Sequence, residues 1–172
     1  MEEKDSTKYA ALFISVLALV TSIYLGYKAN EHNELSVSPY LDITYTFPDT
    51  GSTLTAGIRV DNSGLGPAII EHMRIKWGEE SWDSWDGLYL KIGITDKTNQ
   101  AFITTFKSGN ALRSGRPNLS LFYVKPQSEE SIALKDAIDD GLLDVQICYR
   151  SLYNEYKNSS LQLGVKIVKN CE

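Results

Sequence analysis

The sequence predicts a mainly β protein that carries one apolar helix near its N-terminus. Tyr9–Tyr27 is a run of nineteen residues without a charge, and from Tyr40 onward apolar and polar residues alternate with a period of two. Clusters of Gly, Pro, Asn and Asp separate the alternating segments. These observations divide the chain into an N-terminal tail (1–8), a transmembrane helix (9–27), a stalk (28–39) and an antiparallel β-sandwich domain (40–172).

The apolar run is long enough to cross a bilayer. At about 1.5 Å of rise per residue it covers roughly the hydrocarbon thickness, and Tyr9, Tyr24 and Tyr27 lie where aromatic residues collect at membrane interfaces. A cleavable signal peptide has a shorter apolar core and a small residue where this chain has Tyr27. A buried helix of a soluble domain is the other alternative, but it would leave an all-round apolar surface for a small β domain to cover. We therefore predict an uncleaved signal-anchor that contacts membrane lipid.

The flanking charges predict the orientation of this helix. Lys4, Lys8 and the terminal amine precede it, whereas only Lys28 follows closely. Because Lys and Arg are retained on the cytoplasmic side, we expect a cytoplasmic N-terminus and an extracytoplasmic C-terminal domain.

Small residues recur along one face of the predicted transmembrane helix. They are spaced four, three, four and four residues apart, which gathers them into one narrow stripe. Such stripes let helix backbones approach closely inside lipid, although small residues are also common in single-pass helices. We predict that another membrane protein, or a second copy of this chain, packs on this face. The stripe consists of Ala11, Ser15, Ala18, Ser22 and Gly26.

The composition of residues 30–172 excludes several functional classes. This part holds 14 Lys and Arg against 19 Asp and Glu, and no basic cluster suited to nucleic acid appears. Two cysteines and two histidines in the chain show no metal-ligand spacing. No serine stands in a nucleophile-elbow sequence, and the paired acidic residues fall in polar connections. We expect no catalytic residue, no cofactor and no metal.

Two alternating runs open the domain and predict an antiparallel hairpin around the turn Pro48–Gly51. The apolar positions are Leu41, Ile43, Tyr45 and Phe47 in the first run and Leu54, Ala56, Ile58 and Val60 in the second. Further strands are expected at Ala101–Phe106 and from Leu119 to Tyr123, and one helical turn at Lys135–Asp140 before Gly141.

The segment Asn62-Ser63-Gly64-Leu65-Gly66-Pro67-Ala68 predicts a sharp turn before a strand that ends with Met73, Ile75 and Trp77. Asn62 and the two glycines tolerate a positive φ there. This order of strand, Asn-x-Gly-x-Gly-Pro-Ala turn and strand resembles the adhesion-type and CARDB-like members of the immunoglobulin-like sandwich class. It also resembles uncharacterised bacterial membrane-anchored proteins that carry the same turn. The resemblance covers about residues 54–77, and it implies a fold and no catalytic residue.

An aromatic segment, Trp77–Tyr89, mixes three tryptophans and a tyrosine with acidic residues. One interpretation is a platform for a sugar or peptide, with Trp82, Trp85 and Tyr89 as candidate ligand contacts. The other is that Trp77 and at least one more ring lie in the core.

The last third predicts two strands joined by a nine-residue loop, 151–159, in which Tyr153 and Tyr156 are candidate contacts. The expected inward positions are Leu143, Val145, Ile147 and Tyr149, then Leu161, Leu163, Val165 and Ile167. In a simple hairpin Cys148 lies opposite Leu163, which leaves Cys171 eight residues away, roughly 26 Å. A disulfide between Cys148 and Cys171 therefore requires that the chain end folds back or that the two strands do not pair.

Together these patterns predict a single-pass, membrane-anchored binding or scaffolding protein, an accessory subunit of a membrane complex and not an enzyme. The alternative is a carbohydrate-recognition module that binds a glycan through Trp82 and Trp85.

Overall fold

The computed structural model describes residues 3–47, 56–94, 101–115 and 119–171. The chain forms two compact units, one that ends at Ser36 and one that begins at Val37. The predicted turn at Pro48–Gly51 and the inward position of Leu54 lie outside the described residues.

The first unit is a single helix, α1, at Glu3–Ser36. Its segment Lys8–Asn33 is long and apolar enough, by length and composition, to cross a membrane, with a mean hydropathy of 2.0 and no burial within the structure. The helix thus extends beyond the predicted span into most of the predicted tail and stalk. Neither flank contains Gly or Pro, so the helix propagates through polar residues until the approach to Pro39, where the geometry before proline disfavours it.

Within its described residues, the second unit contains ten strands and two helices. In chain order the strands are β1 (Leu41–Thr46), β2 (Ala56–Asn62), β3 (Ala68–Trp77), β4 (Glu80–Trp82), β5 (Ala101–Ile103), β6 (Ala111–Leu112), β7 (Leu119–Val124), β8 (Leu143–Arg150), β9 (Tyr156–Ser160) and β10 (Gly164–Val168). The helices are α2 (Asp86–Lys91) and α3 (Glu129–Asp139).

These strands form two sheets in which every described pairing is antiparallel. The first sheet has the order β1-β2-β7-β5, and the second has the order β10-β9-β8-β3-β4, with β6 paired to β3. The predicted β1–β2 hairpin is confirmed, with Leu41 opposite Asn62 and Ile43 opposite Val60. A mainly antiparallel β architecture that follows one long apolar helix in the chain is therefore confirmed.

One hydrophobic core is shared by both sheets. The predicted inward positions of β8, from Leu143 to Tyr149, are all fully buried, as are Leu41, Ile58 and Val60 of the first sheet. Tyr45 differs from the prediction because it is 46% exposed, and its ring lies 5.6 Å from that of Phe47. Since β1 is an edge strand, the end that carries Tyr45 has a neighbour on one side only.

The C-terminal third differs from the predicted hairpin. The loop after β8 has five residues, 151–155, and the polar segment Tyr156–Ser160 forms β9 in place of the rest of the predicted loop. A turn at 161–163 then leads into β10, so the predicted strand 161–167 is wrong at its start, and Ile167 is exposed. Polar β9 is a strand because its serines have partners in the fold: Ser159 Oγ donates to the Leu41 carbonyl at 2.7 Å.

The predicted single helical turn at Lys135–Asp140 is the end of α3. Ser128 caps this helix by accepting a hydrogen bond from the Ser131 N–H. Gly141 follows with a φ of +70°, which confirms its expected role as a terminator.

Candidate binding surface

The predicted packing stripe of α1 is exposed along its whole length. The hydroxyls of its two serines are used within the helix: Ser15 Oγ donates to the Ala11 carbonyl at 2.6 Å, and Ser22 Oγ donates to the Ala18 carbonyl at 2.8 Å. Hydrogen bonds to the backbone four residues earlier leave these side chains small and largely satisfied. The stripe is therefore suited to close backbone packing more than to hydrogen bonding across helices.

Two of the candidate ligand contacts lie in the core. Trp85 is 1% exposed and Tyr89 is 2% exposed, so neither ring is available to stack on a ligand. The Trp85 ring stacks on Phe122 with centroids 5.0 Å apart, and its Nε1 donates to the Thr104 carbonyl at 3.1 Å. The prediction that Trp85 and Tyr89 contact a ligand is therefore wrong, because the start of α2 turns both rings inward. Trp77, which was expected in the core, is only partly buried.

Trp82, like Trp77, keeps part of its surface accessible. It lies in β4, packs against the core and covers the position of Gly87, where a Cβ atom would collide with the indole ring. One part of the ring is thus used to hold the start of α2 against the sheet.

The remaining candidate contacts, Tyr153 and Tyr156, belong to the opposite end of the second sheet. Tyr156 pairs with Arg150, which pairs with Ile69, whereas Trp82 pairs with Ile75. Six residues of strand separate these levels, which is about 20 Å. The structure therefore does not bring the predicted aromatic residues into one site.

The end of the domain at which the chain arrives from α1 is densely connected, and we call it the tether end. It consists of residues 37–40 with the turn 62–66 on one side and the loop 151–155 on the other. The Leu65 N–H donates to the Ser38 carbonyl at 3.2 Å, and Ser38 Oγ donates to Glu155 Oε2 at 3.2 Å. Lys157 Nζ donates to Ser38 Oγ at 2.6 Å.

Asn62 holds the turn of the tether end in one conformation. Its Nδ2 donates to the carbonyls of Gly66 and Leu112, and its Oδ1 accepts from the N–H groups of Tyr40 and Gly64. Neither glycine of this turn uses the positive φ that it could adopt. They are needed for close approach, because a Cβ on Gly66 would collide with the Val37 carbonyl.

The C-terminal segment is fastened to β8 by a disulfide between Cys148 and Cys171, with Cα atoms 5.7 Å apart. The expectation that these residues lie far apart is wrong. It assumed two strands, but β10 reverses the chain once more and returns Val168 to the level of Tyr156 and Arg150. The chain end thereby folds back within reach of Cys148.

No acid–base or metal constellation stands out among the described residues. Partial burial lowers the pKa of His72, and the positive charge of Arg74 acts in the same direction. Within the described ranges, no three His, Cys, Asp or Glu residues are grouped closely enough to hold a metal ion. An open groove of about 170 Å³ lies between Phe47, Ala56 and the side of α3 that carries Ser131 and Ile132.

Comparison with protein-family models, with curated proteins and with solved structures finds no match for this chain. The function is therefore inferred from the surfaces of this protein alone.

Proposed function

We propose that this protein is a single-pass, membrane-anchored binding or scaffolding subunit whose C-terminal domain is immunoglobulin-like and lies outside the cytoplasm. The observation that carries the proposal is the Cys148–Cys171 disulfide in a domain that follows a membrane-length apolar helix. Disulfides form and persist in extracytoplasmic spaces, whereas cytosolic thiols are kept reduced. This placement agrees with the Lys4 and Lys8 bias, which favours a cytoplasmic N-terminus.

The strand order supports the immunoglobulin-like assignment. In the constant-type immunoglobulin fold the sheets are A-B-E-D and C-F-G, and variable domains add a C′ strand beside C. Numbered along the chain, β1-β2-β7-β5 corresponds to A-B-E-D, and β9-β8-β3-β4 corresponds to G-F-C-C′. The domain departs from antibody domains in its bridge, which joins the F-equivalent β8 to the C-terminal segment and not to the B-equivalent β2.

The same features favour contact over catalysis. The core is continuous, and polar side chains such as Asn62 use their hydrogen bonds on the backbone of the domain itself. The exposed stripe on α1 offers a second membrane helix a close-packing face. An accessory role in a membrane complex combines both surfaces in one chain.

The redox state of the two cysteines in intact cells tests the orientation. Cells are quenched with acid to preserve the thiol state, the protein is denatured, and a maleimide of high mass is added with or without prior reduction. We expect a mass shift only after reduction in the native protein, and a shift without reduction in Cys171→Ser, whose Cys148 has no partner. A native protein that is labelled without reduction places the domain in a reducing compartment and refutes the proposal.

Co-purification in mild detergent tests the subunit role. We expect the native chain to leave the membrane with a defined membrane-protein companion, or as a homo-oligomer, at constant stoichiometry. A chain that is monomeric and without companions in every mild detergent contradicts the proposal of an accessory subunit.

A further inference from the structure

The two ends of the domain differ in charge. Exposed Arg113 lies at the tether end, because the neighbouring Ser114 Oγ donates to the Gly64 carbonyl. Exposed Lys107 belongs to a turn near the start of β3, because the Ile70 N–H donates to the Asn110 carbonyl of that turn. Exposed Lys169 directly follows β10. Of the other described basic residues at this end, Arg150 pairs with Glu71 and Lys157 pairs with Glu155.

The opposite end of the domain is acidic. It carries exposed Glu79, Glu80, Glu129, Asp139 and Asp140. Of these, Glu80 pairs with Lys91 and Asp139 pairs with Lys135. Asp42 and Asp61 face each other on β1 and β2, next to the tether end and outside its loops. Among the described residues, Lys107, Arg113 and Lys169 thus place positive charge beside the loops of the tether end, in a protein of net charge −5.

Apolar side chains project from the loops next to these basic residues. Leu65 is 73% exposed at the tip of the turn 62–66, and in the loop 151–155 Leu152 is 56% and Tyr153 is 46% exposed. Leucine next to tyrosine and basic residues is the composition of surfaces that enter a membrane interface. Single exposed apolar residues are common on protein surfaces, but these three share one end of the domain with the exposed basic residues.

Both loops are held in fixed conformations. Asn62 fixes the turn that carries Leu65, and Ser151 Oγ accepts from the N–H groups of Tyr153 and Glu155 at 3.1 and 3.2 Å. Their apolar tips are therefore ordered before any contact is made, which lowers the entropic cost of binding.

The chain connection brings a lipid surface within reach of this end. Val37 is bonded to Ser36, which is nine residues beyond Tyr27 and at most about 14 Å along a helix from the apolar run. The polar layer of a bilayer leaflet is about 5–7 Å thick, so Ser36 lies at most about 9 Å beyond the headgroups. This step uses the membrane anchoring of the proposed function and depends on it.

We propose that the tether end of the domain is a lipid-binding surface that docks on the anionic headgroups of the membrane that holds α1. Leu65, Leu152 and Tyr153 enter the interface, and Lys107, Arg113 and Lys169 bind lipid phosphates. The acidic opposite end then remains turned toward the aqueous side.

Photo-crosslinking of the full chain in nanodiscs tests this proposal. Benzoylphenylalanine replaces Leu65 or Leu152, and lipid adducts are counted by mass spectrometry in phosphatidylcholine with and without phosphatidylglycerol. The matched control is Leu163, which is 64% exposed in the turn between β9 and β10 at the opposite end. We expect lipid adducts at positions 65 and 152, more in anionic bilayers, and none above background at 163.

A charge-reversal pair tests the electrostatic part. Because a basic residue near an anionic surface contributes about 1 kcal/mol, Arg113→Glu should lower the lipid adducts at position 65 by about fivefold or more. Lys125→Glu, which changes an exposed lysine at the opposite end, should leave them unchanged.

A probe at Leu17 within the apolar run separates the two proposals. Lipid adducts at Leu17 without any at 65 or 152 overturn the docking surface and leave the membrane anchor intact. An absence of adducts at Leu17 refutes the anchor itself. Adducts of position 65 with protein in place of lipid also overturn the lipid surface and assign this end to a protein partner.

Discussion

The hydroxyl of Tyr149 accepts a hydrogen bond from the backbone N–H of Leu41 at 3.1 Å. Tyr149 belongs to β8 of the second sheet and Leu41 to β1 of the first, and both are fully buried. A second link, from Ser159 Oγ to the Leu41 carbonyl, lies beside it. The backbone of Leu41, next to the tether end, thus connects both layers of the domain.

Removal of this hydroxyl should destabilise the domain. Tyr149→Phe leaves the Leu41 N–H buried without its acceptor, which costs about 1–3 kcal/mol in the free energy of unfolding. Urea denaturation followed by tryptophan fluorescence measures the change. Tyr153→Phe, which removes a hydroxyl from a 46% exposed ring, serves as the control and should be nearly neutral. Equal stability of Tyr149→Phe and the native chain would show that this bond contributes nothing.

The same tyrosine predicts a decline of stability at alkaline pH. Burial raises the pKa of Tyr149 from 10.0 to about 12. Since the folded state holds this proton more tightly than the unfolded state, the contribution is complete below pH 10 and is lost as the pH rises from 10 to 12. Denaturation midpoints at pH 8, 10 and 11 check this. The decline should be shallower in Tyr149→Phe, and identical slopes in both proteins would contradict the assignment.

Loss of the disulfide should weaken the C-terminal meander. Cys148 and Cys171 are 23 residues apart, and closing a loop of that size stabilises a protein by about 3 kcal/mol in the chain-entropy estimate. We expect Cys171→Ser to lower the free energy of unfolding by about that amount. In hydrogen exchange, β9 and β10 should lose more protection than β2. Uniform loss across the domain would show that the bridge does not act locally.

Substitution of the two tryptophans Trp85 and Trp82 should have different effects on stability. Trp85→Ala should cost about 3–5 kcal/mol because it empties a buried site against Phe122. Trp82→Ala should be tolerated better, so a glycan array with this variant tests the carbohydrate alternative without unfolding the domain. If the native protein binds no glycan on the array, that alternative fails.

The stripe on α1 predicts the effect of bulky residues on association. Ala18→Leu with Ser22→Leu should abolish co-purification of the companion or second copy, since larger side chains separate the helix backbones. Val16→Leu with Val20→Leu adds methylene groups to the opposite side of the helix and should have no effect. Unchanged association of the Ala18 and Ser22 variant in size-exclusion chromatography would exclude this face.

The sequence predicts those parts of the fold whose pattern is local. The β1–β2 hairpin and β8 have alternating residues whose inward positions can be counted along the chain, and the structure buries nearly all of them. The strand β9 was not predictable in this way, because Tyr156–Ser160 contains almost no aliphatic residues. It is a strand because Ser159 and Ser160 find partners on Leu41 and Asp144, which are distant in sequence.

The local sequence also does not predict which of the candidate ligand contacts are exposed. Trp82, Trp85 and Tyr89 stand close together in the sequence, but their burial is decided by α2, which turns Trp85 and Tyr89 onto Phe122. The disulfide also depended on an unpredicted element, since the additional strand β10 reverses the direction of the chain before Cys171.

The bridge between Cys148 and Cys171 has a mechanical consequence. A stretching force applied between the tether and the C-terminal segment passes from β8 directly through the sulfur atoms and leaves β9 and β10 outside the loaded path. A domain that unravels under such tension would extend roughly 80 Å less than its residue count allows, because the 23-residue separation stays closed. Reduction by a thiol would restore that length, so single-molecule pulling distinguishes the two redox states by extension alone.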